Sequence, residues 1–324
     1  LQWGVLPEGL RHLTFGAAFN QALPHGVLPP SLLSLRFGVC FDQPLLPGTL
    51  PSKLRDLTFS LRYRHAIDPG VLPASLRSLK LGACFNQPLQ VGVLPTDLRT
   101  LFLGDGFNCH LPPGALPASL RELQIGQTFN KPLSPGALPS ALISLRFGLR
   151  FDHPLPPGVL PVTLVRLEFG DWFSQPLSPG ALPSTLRVLR FGRAFNHPLV
   201  PGALPPGLLH LDLGAYFDHP LVVNALPDSI MHLAMGRTFN QPLEGGGVLP
   251  SSLRFLSLGS NYRQPLPPGV LPSGLTHLDL GSRFNHPLPA GLLPPGLMQL
   301  ELPAVFQHVV PDVGTARGMR VVRR

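Results

Sequence analysis

The chain has 324 residues, of which 44% are hydrophobic, and its 25 Lys and Arg against 17 Asp and Glu give a net charge of +8. No unbroken apolar run approaches the roughly 18 residues of a transmembrane helix, so we expect no membrane partner. Three cysteines, Cys40, Cys84 and Cys109, cannot form a complete disulfide framework. This composition predicts a reducing, intracellular location, the cytoplasm.

The same 22-residue pattern recurs along almost the whole chain. One copy reads GALPSTLRVLRFGRAFNHPLVP from Gly180, and closely similar copies begin at Gly114 and Gly136. A fixed period of this length indicates a repeat array, in which each unit packs on its neighbours. We predict a remnant of a preceding repeat at residues 1–3, a repeat body at 4–310 and a basic tail at 311–324. The body holds thirteen full repeats and a degenerate fourteenth, and we expect the chain to begin inside a longer array.

The first predicted element of each repeat is a short strand. The segment LxxLxF places Leu186, Leu189 and Phe191 in the core, while Arg190 points outward, which is the alternation of a strand with one buried face. Two prolines in most repeats, one of them at the place of Pro183, exclude helix from the other residues. The predicted fold class is all-β and loop, a parallel β-solenoid of 22-residue coils.

A glycine, an aromatic residue and an Asn or Asp follow the strand in most repeats. The glycine, for example Gly104, is explained either by a positive φ or by close approach of the next coil. The aromatic residue is Phe in most repeats and Tyr at Tyr63 and Tyr262, and we expect a stacked, buried spine that includes Phe129. The Asx residue, for example Asn130, is expected to accept hydrogen bonds from backbone donors that a tight turn leaves unpaired.

The complete motif, GxLPxxLxxLxFGxxFNxPLxP, resembles the FNIP repeat, a 22-residue unit of the leucine-rich-repeat superfamily. Its signature reads FNQP at residues 85–88 and 239–242, and FNHP at residues 195–198 and 284–287. Gln or His thus replaces the Ile of the family name, and we expect this to be a surface variation. The resemblance implies an interaction scaffold, sometimes joined to an F-box, with no catalytic residues to carry over.

Basic residues are concentrated beside and on the predicted strands. Arginine precedes the strand in seven repeats, at Arg11, Arg55, Arg77, Arg99, Arg121, Arg187 and Arg254. Exposed strand places add Arg36, Lys80, Arg146, Arg166 and Arg190. Adjacent coils stack equivalent residues about 4.8 Å apart, so the four arginines from Arg55 to Arg121 bring like charges together. Two interpretations remain open: a solvated face, partly neutralised by Asp56, Asp97 and Glu122, or a surface for an anionic partner.

We predict that this basic surface binds a protein partner that carries an acidic segment. The predicted partner-binding residues are Arg55, Arg77, Arg99, Arg121, Lys80, Arg146, Arg166, Arg187 and Arg190. Nucleic acid is the weaker prediction, because acidic residues such as Glu168 share the strand face and because we expect the aromatic residues to be committed to the core. The alternatives are a polyanion- or nucleic-acid-binding repeat protein and a purely structural solenoid.

Histidines pair along the array without completing a metal site. His210 and His232 share one strand place in adjacent repeats, and His197 and His219 share the place after the Asx residue, so each pair could approach within roughly 5 Å. Neither pair has a Cys or carboxylate at the matching place to complete a zinc ligand set. We predict no metal, no cofactor and no catalytic residues, and the uniform repeat length argues against an enzyme.

Overall fold

The computed structural model describes residues 2–243, 247–311 and 319–324. The chain divides into two compact units. Unit 1 comprises Leu1–His153 and Gly158–Leu164, and unit 2 comprises Pro154–Pro157 and Val165–Arg324. Arg317 of the predicted tail lies outside the described residues, and the division into residues 1–3, 4–310 and 311–324 stays a prediction.

In its described part, unit 1 has one three-residue strand per repeat. The strands are β1 (His12–Thr14), β2 (Ser34–Arg36), β3 (Asp56–Thr58), β4 (Ser78–Lys80), β5 (Thr100–Phe102), β6 (Glu122–Gln124) and β7 (Ser144–Arg146). Each strand pairs in parallel with the next one, and the central leucines lie opposite one another, as Leu79 does with Leu101. The register therefore equals the repeat length, and equivalent residues of consecutive repeats are neighbours.

Unit 2 repeats this arrangement. Its described strands are β8 (Arg166–Glu168), β9 (Val188–Arg190), β10 (His210–Asp212), β11 (His232–Ala234), β12 (Phe255–Ser257), β13 (His277–Asp279), β14 (Gln299–Leu302) and β15 (Arg320–Arg323). All consecutive pairs are parallel, including β14 with β15, where Gln299 lies opposite Arg320. Among the described residues, none forms a helix that could span a membrane. The predicted all-β parallel solenoid is confirmed in both units.

The glycine after the strand is explained mainly by close packing between coils. A Cβ atom on Gly104 would overlap the backbone carbonyl of Gly82 in the preceding coil, and the same overlap recurs at Gly126 and Gly148. Glycine is the residue that allows two backbones to approach this closely. A positive φ adds a second reason at some places, such as Gly214 with φ of 77°. Both explanations that the sequence left open therefore apply, the first more widely.

The aromatic spine is confirmed. Phe129 has no exposed surface and stacks between Phe107 and Phe151, with ring centroids 6.1 and 6.0 Å away. Paired strands lie about 4.8 Å apart, whereas neighbouring spine rings of unit 1 are 6.0 to 6.5 Å apart. The longer distance between ring centroids is that of offset stacking, in which each ring is displaced sideways relative to the next one.

The Asx residues join each coil to the next one. The Oδ1 atom of Asn108 accepts the backbone N–H of Asn130 at 2.9 Å, and the Oδ1 atom of Asn130 accepts the backbone N–H of Asp152 at 3.1 Å. The sequence predicted an Asx side chain that accepts a backbone donor at a tight turn. The structure adds that this donor belongs to the following coil, so the side chains form a ladder between coils.

The Gln or His that replaces the family's Ile forms a second ladder. The side chain of Gln87 donates to the backbone carbonyl of Arg64 at 3.0 Å, and the Nε2 atom of His219 lies 3.1 Å from the backbone carbonyl of Asn196. His153 and His286 repeat this contact. These contacts lie at the surface, as expected, and add a role to the variation, because the polar side chain satisfies a carbonyl of the preceding coil to which an Ile could not donate a hydrogen bond.

Phe129→Ala tests the aromatic spine. Removing this fully buried ring should lower the free energy of unfolding by about 3 to 5 kcal/mol, because the lost contacts leave a cavity between two rings that stay in place. Guanidinium denaturation followed by circular dichroism measures the change. Wild-type stability would mean that the ring contributes nothing to the core.

Tyr262→Phe tests a buried polar atom in the same spine. The Tyr262 hydroxyl is buried and has no hydrogen-bond partner within the described residues, and burial raises its pKa above the ordinary value. Phe keeps the ring and removes the unsatisfied group, so the substitution should raise the free energy of unfolding by about 1 kcal/mol. The variant should therefore unfold at a higher denaturant concentration than the wild type. A loss of stability would show that the hydroxyl is hydrogen-bonded.

Candidate partner-binding site

The surface of the sheet is built from three residues of each repeat. The edge place is the residue immediately before the strand, and the two face places are the first and third residues of the strand, which flank the buried central leucine. At the edge place of unit 1, the backbone N–H of Arg77 donates to the carbonyl of Arg55, that of Arg99 to Arg77 and that of Arg121 to Arg99, each at 2.8 Å. This continuous ladder fixes Arg55, Arg77, Arg99 and Arg121, here called the arginine row, one above the other.

The four guanidiniums of the arginine row are exposed to solvent. In the part of the chain that the structure describes, none of them forms an ion pair or a side-chain hydrogen bond. The carboxylates that the sequence offered for neutralisation, Asp56, Asp97 and Glu122, are exposed nearby without forming an ion pair with the row. The row therefore keeps four hydrated charges that an anionic group can reach.

The two central coils of the row have the most basic surroundings. Their first face places hold the small polar residues Ser78 and Thr100, and their third face places hold Lys80 and Phe102. The Lys80 ammonium lies 4.6 Å from the centroid of the half-buried Phe102 ring, a cation–π distance. No carboxylate stands on the strand face of β4 and β5.

The position of Phe102 corrects one sequence expectation. We expected the aromatic residues to be committed to the core, but Phe102 and Phe255 stand at face places of their strands. Both replace the polar residue of the repeat on the outward side of the strand, so the period of two places them outside the core. Phe102 therefore adds an apolar element to the basic surface, which the repeat consensus did not reveal.

Arg187 and Arg254 occupy the same edge place in unit 2 and are tied to the protein. The Nη1 atom of Arg187 donates to the carbonyl of Gly207 at 2.9 Å, and that of Arg254 donates to the carbonyl of Gly274 at 2.5 Å. A Cβ atom on either glycine would overlap the guanidinium. The corresponding residues for the arginine row, twenty positions after each arginine, are Ser75, Asp97, Ser119 and Ala141.

This difference is a sequence signal that our reading of the sequence missed. Glycine twenty residues after the arginine leaves room for the guanidinium to fold onto the next coil. A side chain at that place fills the room, and Ser75 and Ser119 also donate to the leucine carbonyls of the preceding coil at 2.7 and 2.6 Å. An arginine at the edge place followed twenty residues later by glycine is hydrogen-bonded to that glycine's carbonyl. The four arginines of the row, which lack this glycine, have free guanidiniums.

The remaining predicted residues of unit 2 share a carboxylate. Arg166 and Arg190 lie 3.4 and 3.7 Å from the same Oε1 atom of Glu168, which forms a three-membered cluster of net charge +1. Arg146 is exposed at the third place of β7 in unit 1. Of the nine predicted residues, the structure brings together the arginine row and Lys80, and it gives Arg166, Arg187 and Arg190 partners within unit 2.

The strand face of unit 2 carries a stack of rings. His210 and His232 stack with centroids 4.4 Å apart, as their shared strand place predicted, and Phe255 continues the stack 5.7 Å beyond His232. Burial, with the neighbouring charges of His232, Arg190 and Arg166, lowers the pKa of His210 below its ordinary value. A shallow cavity of about 170 Å³ lies beside the stack. Among the described residues, no three His, Cys, Asp or Glu are placed to hold a metal ion.

The second histidine pair has a structural role. The Nε2 atom of His197 lies 2.8 Å from the backbone carbonyl of Ser174, and that of His219 makes the equivalent contact with Asn196. Each ring therefore binds the preceding coil rather than its histidine neighbour, as the second ladder requires.

The fold and its surface define the class of the protein as a leucine-rich-repeat-type solenoid. The FNIP Repeat family matches overlapping segments at residues 1–40, 19–62, 41–84, 63–106, 107–150, 151–194, 195–238, 217–261, 239–283 and 261–304. The chain belongs to this family. No curated protein matches it in sequence.

Two solved structures are similar to this chain. CroV588, described as a novel circular LRR protein, is 37% identical, with a TM-score of 0.95 over 99% of this chain and 47% of its own. The chain thus spans about half the length of CroV588. The internalin inlF of Listeria monocytogenes, 15% identical, has a TM-score of 0.55 over 97% of this chain and 87% of its own, a similarity of fold alone.

Two single variants, Arg187→Gln and Arg77→Gln, test the difference between hydrogen-bonded and free arginines. Arg187→Gln should lower the free energy of unfolding by about 1 kcal/mol, because the hydrogen bond to Gly207 is lost. Arg77→Gln should not lower it and should raise it slightly, because the substitution relieves the repulsion between like charges in adjacent coils. Gly207→Ala should reproduce the loss, because its Cβ displaces the guanidinium. Urea denaturation of the three variants measures these values, and equal values for the two arginine variants would contradict the assignment.

Proposed function

We propose that this chain is a non-catalytic protein-interaction scaffold that binds its partner through the strand face, and that the partner presents an acidic segment to the arginine row. Solenoids of this type are typical of interaction scaffolds. The observation that carries the proposal is the arginine row itself: four guanidiniums in register, exposed and without side-chain partners among the residues that the structure describes. Stacking like charges costs stability, and a bound anionic partner offsets that cost.

The other predicted residues have smaller roles in this proposal. Lys80 and Arg146 extend the basic surface of unit 1 on the strand face. Arg166, Arg187 and Arg190 contribute to the electrostatic potential of unit 2, with their side chains already engaged. Because Cys40, Cys84 and Cys109 are free thiols, the proposal retains the intracellular, reducing location.

Nucleic acid is the second candidate partner. The contact between Lys80 and Phe102 favours it, because single-stranded nucleic acid binds to surfaces that combine basic and aromatic side chains. Two features weigh against it. Lys80 covers the Phe102 ring, and β4 to β6 offer no second exposed aromatic residue on which a following base could stack.

The double variant Arg77→Gln/Arg99→Gln tests the proposed function. It should fold normally and bind acidic partners about tenfold more weakly at low salt, because exposed ion pairs of up to about 1 kcal/mol each are lost. The loss should shrink at high salt, where screening already weakens the wild type. Affinity capture and calorimetric titration with the recovered partner measure the effect.

Arg237→Gln/Arg283→Gln is the matched control, since these two arginines are exposed in loops of unit 2 and the variant has the same net charge. If both double variants bind equally well, the arginine row is a solvated edge and the proposal is wrong.

A further inference from the structure

The spacing of the arginine row limits the shape of what can bind along it. Residues at the edge place repeat once per coil, and paired strands lie about 4.8 Å apart. A ligand with evenly spaced carboxylates can contact all four arginines only if its own repeat is close to that value. The backbone ladder from Arg55 to Arg121 holds the row in register, so the side chains alone can absorb a mismatch.

An α-helix comes closest to this spacing. Residues at i, i+4, i+7 and i+11 lie on one face, and the first and last of them are about 16.5 Å apart along the helix. The first and last arginines of the row are about 14.4 Å apart, so the mismatch over the whole row is about 2 Å. Long arginine side chains absorb such a drift. Alternate residues of an extended segment are spaced by more than about 6.5 Å, and their drift reaches about 5 to 6 Å over the same distance. The phosphates of one duplex DNA strand repeat about every 3.4 Å along the axis and do not match the row.

The width of the surface fits the same ligand. From Arg77 at the edge place to Lys80 at the third face place is three residues of extended backbone, about 10 Å. A helix with its side chains is about 10 to 12 Å in diameter. Between the arginine row and Lys80, the surface carries the small polar side chains of Ser78 and Thr100. Phe102 lies on the side of Lys80, at the third place of β5. A helix lying across the strands therefore spans the surface from the arginine row to Lys80.

We propose that the partner segment is an α-helix with one acidic face, lying across β3 to β6 with its carboxylates on the arginine row. This inference rests on the proposed function and adds the conformation of the partner. The aliphatic part of the helix, next to the acidic face, lies beside Lys80 and Phe102.

Two isomeric peptides test the proposal. Both are Ala-rich, capped, about 20 residues long and helical by circular dichroism. The first has four Glu at i, i+4, i+7 and i+11, and the second has the same four Glu distributed around the helix. Each peptide is labelled and titrated with the full chain by fluorescence anisotropy at about 20 mM salt, where screening is weak.

The one-faced peptide should bind at least about fivefold more tightly than its isomer, since the isomer loses at least two of four exposed ion pairs. Arg77→Gln/Arg99→Gln should remove this difference, and Arg237→Gln/Arg283→Gln should preserve it. Thr100→Glu adds a carboxylate beside Arg99 and keeps all four arginines of the row. It should weaken binding of the one-faced peptide as well, because like charges repel. This third variant provides a second test if the Arg77→Gln/Arg99→Gln chain does not fold.

The other outcomes separate the two proposals. If both peptides bind equally and both lose affinity in Arg77→Gln/Arg99→Gln, the helical geometry is wrong and the acidic-partner function stands. If neither peptide binds, or if the substitutions have no effect, the proposed function itself fails. If a DNA duplex binds more tightly than the one-faced peptide and depends on the same arginines, the partner is nucleic acid and the acidic helix is wrong.

Discussion

The structure depends on one constraint: every coil must present its backbone to the next coil in the same register. Parallel strands of three residues supply few hydrogen bonds, so the rest of the coil has to stack as well. Glycines such as Gly104 allow the backbones to approach, and Asx side chains such as Asn130 bridge to the following coil. A residue in one repeat is thereby the spatial neighbour of its equivalent in the next repeat, and any feature that recurs in the sequence becomes a row on the surface.

Because equivalent residues of consecutive coils are neighbours, the next coil determines how the arginine row differs from the basic residues of unit 2. The same edge place holds Arg77 and Arg187, and the backbone hydrogen bonds on either side of them are alike. The difference lies in the next coil, where Gly207 leaves space that the Arg187 guanidinium occupies, and Asp97 fills the equivalent place after Arg77. A residue twenty positions away therefore decides whether the guanidinium is hydrogen-bonded to the next coil or exposed.

The sequence predicted the framework well because the period alone determines it. The burial of Phe129, the parallel strands and the role of the Asx residues follow from which places repeat and from the chemistry of the side chains there. The period could not predict departures from the consensus. The outward position of Phe102 and the hydrogen bonds of Gln87 and His219 depend on single side chains and their rotamers, which a repeat average conceals.

The most direct measurement of the central claim is the reactivity of individual arginines toward a dicarbonyl reagent, followed by mass spectrometry of the folded chain. We expect Arg55, Arg77, Arg99 and Arg121 to react quickly and an acidic helical peptide to protect them, while Arg187 and Arg254 react slowly with or without the peptide. Equal reactivity at all six arginines, or protection elsewhere in the chain, would show that the arginine row is not the free, partner-binding set.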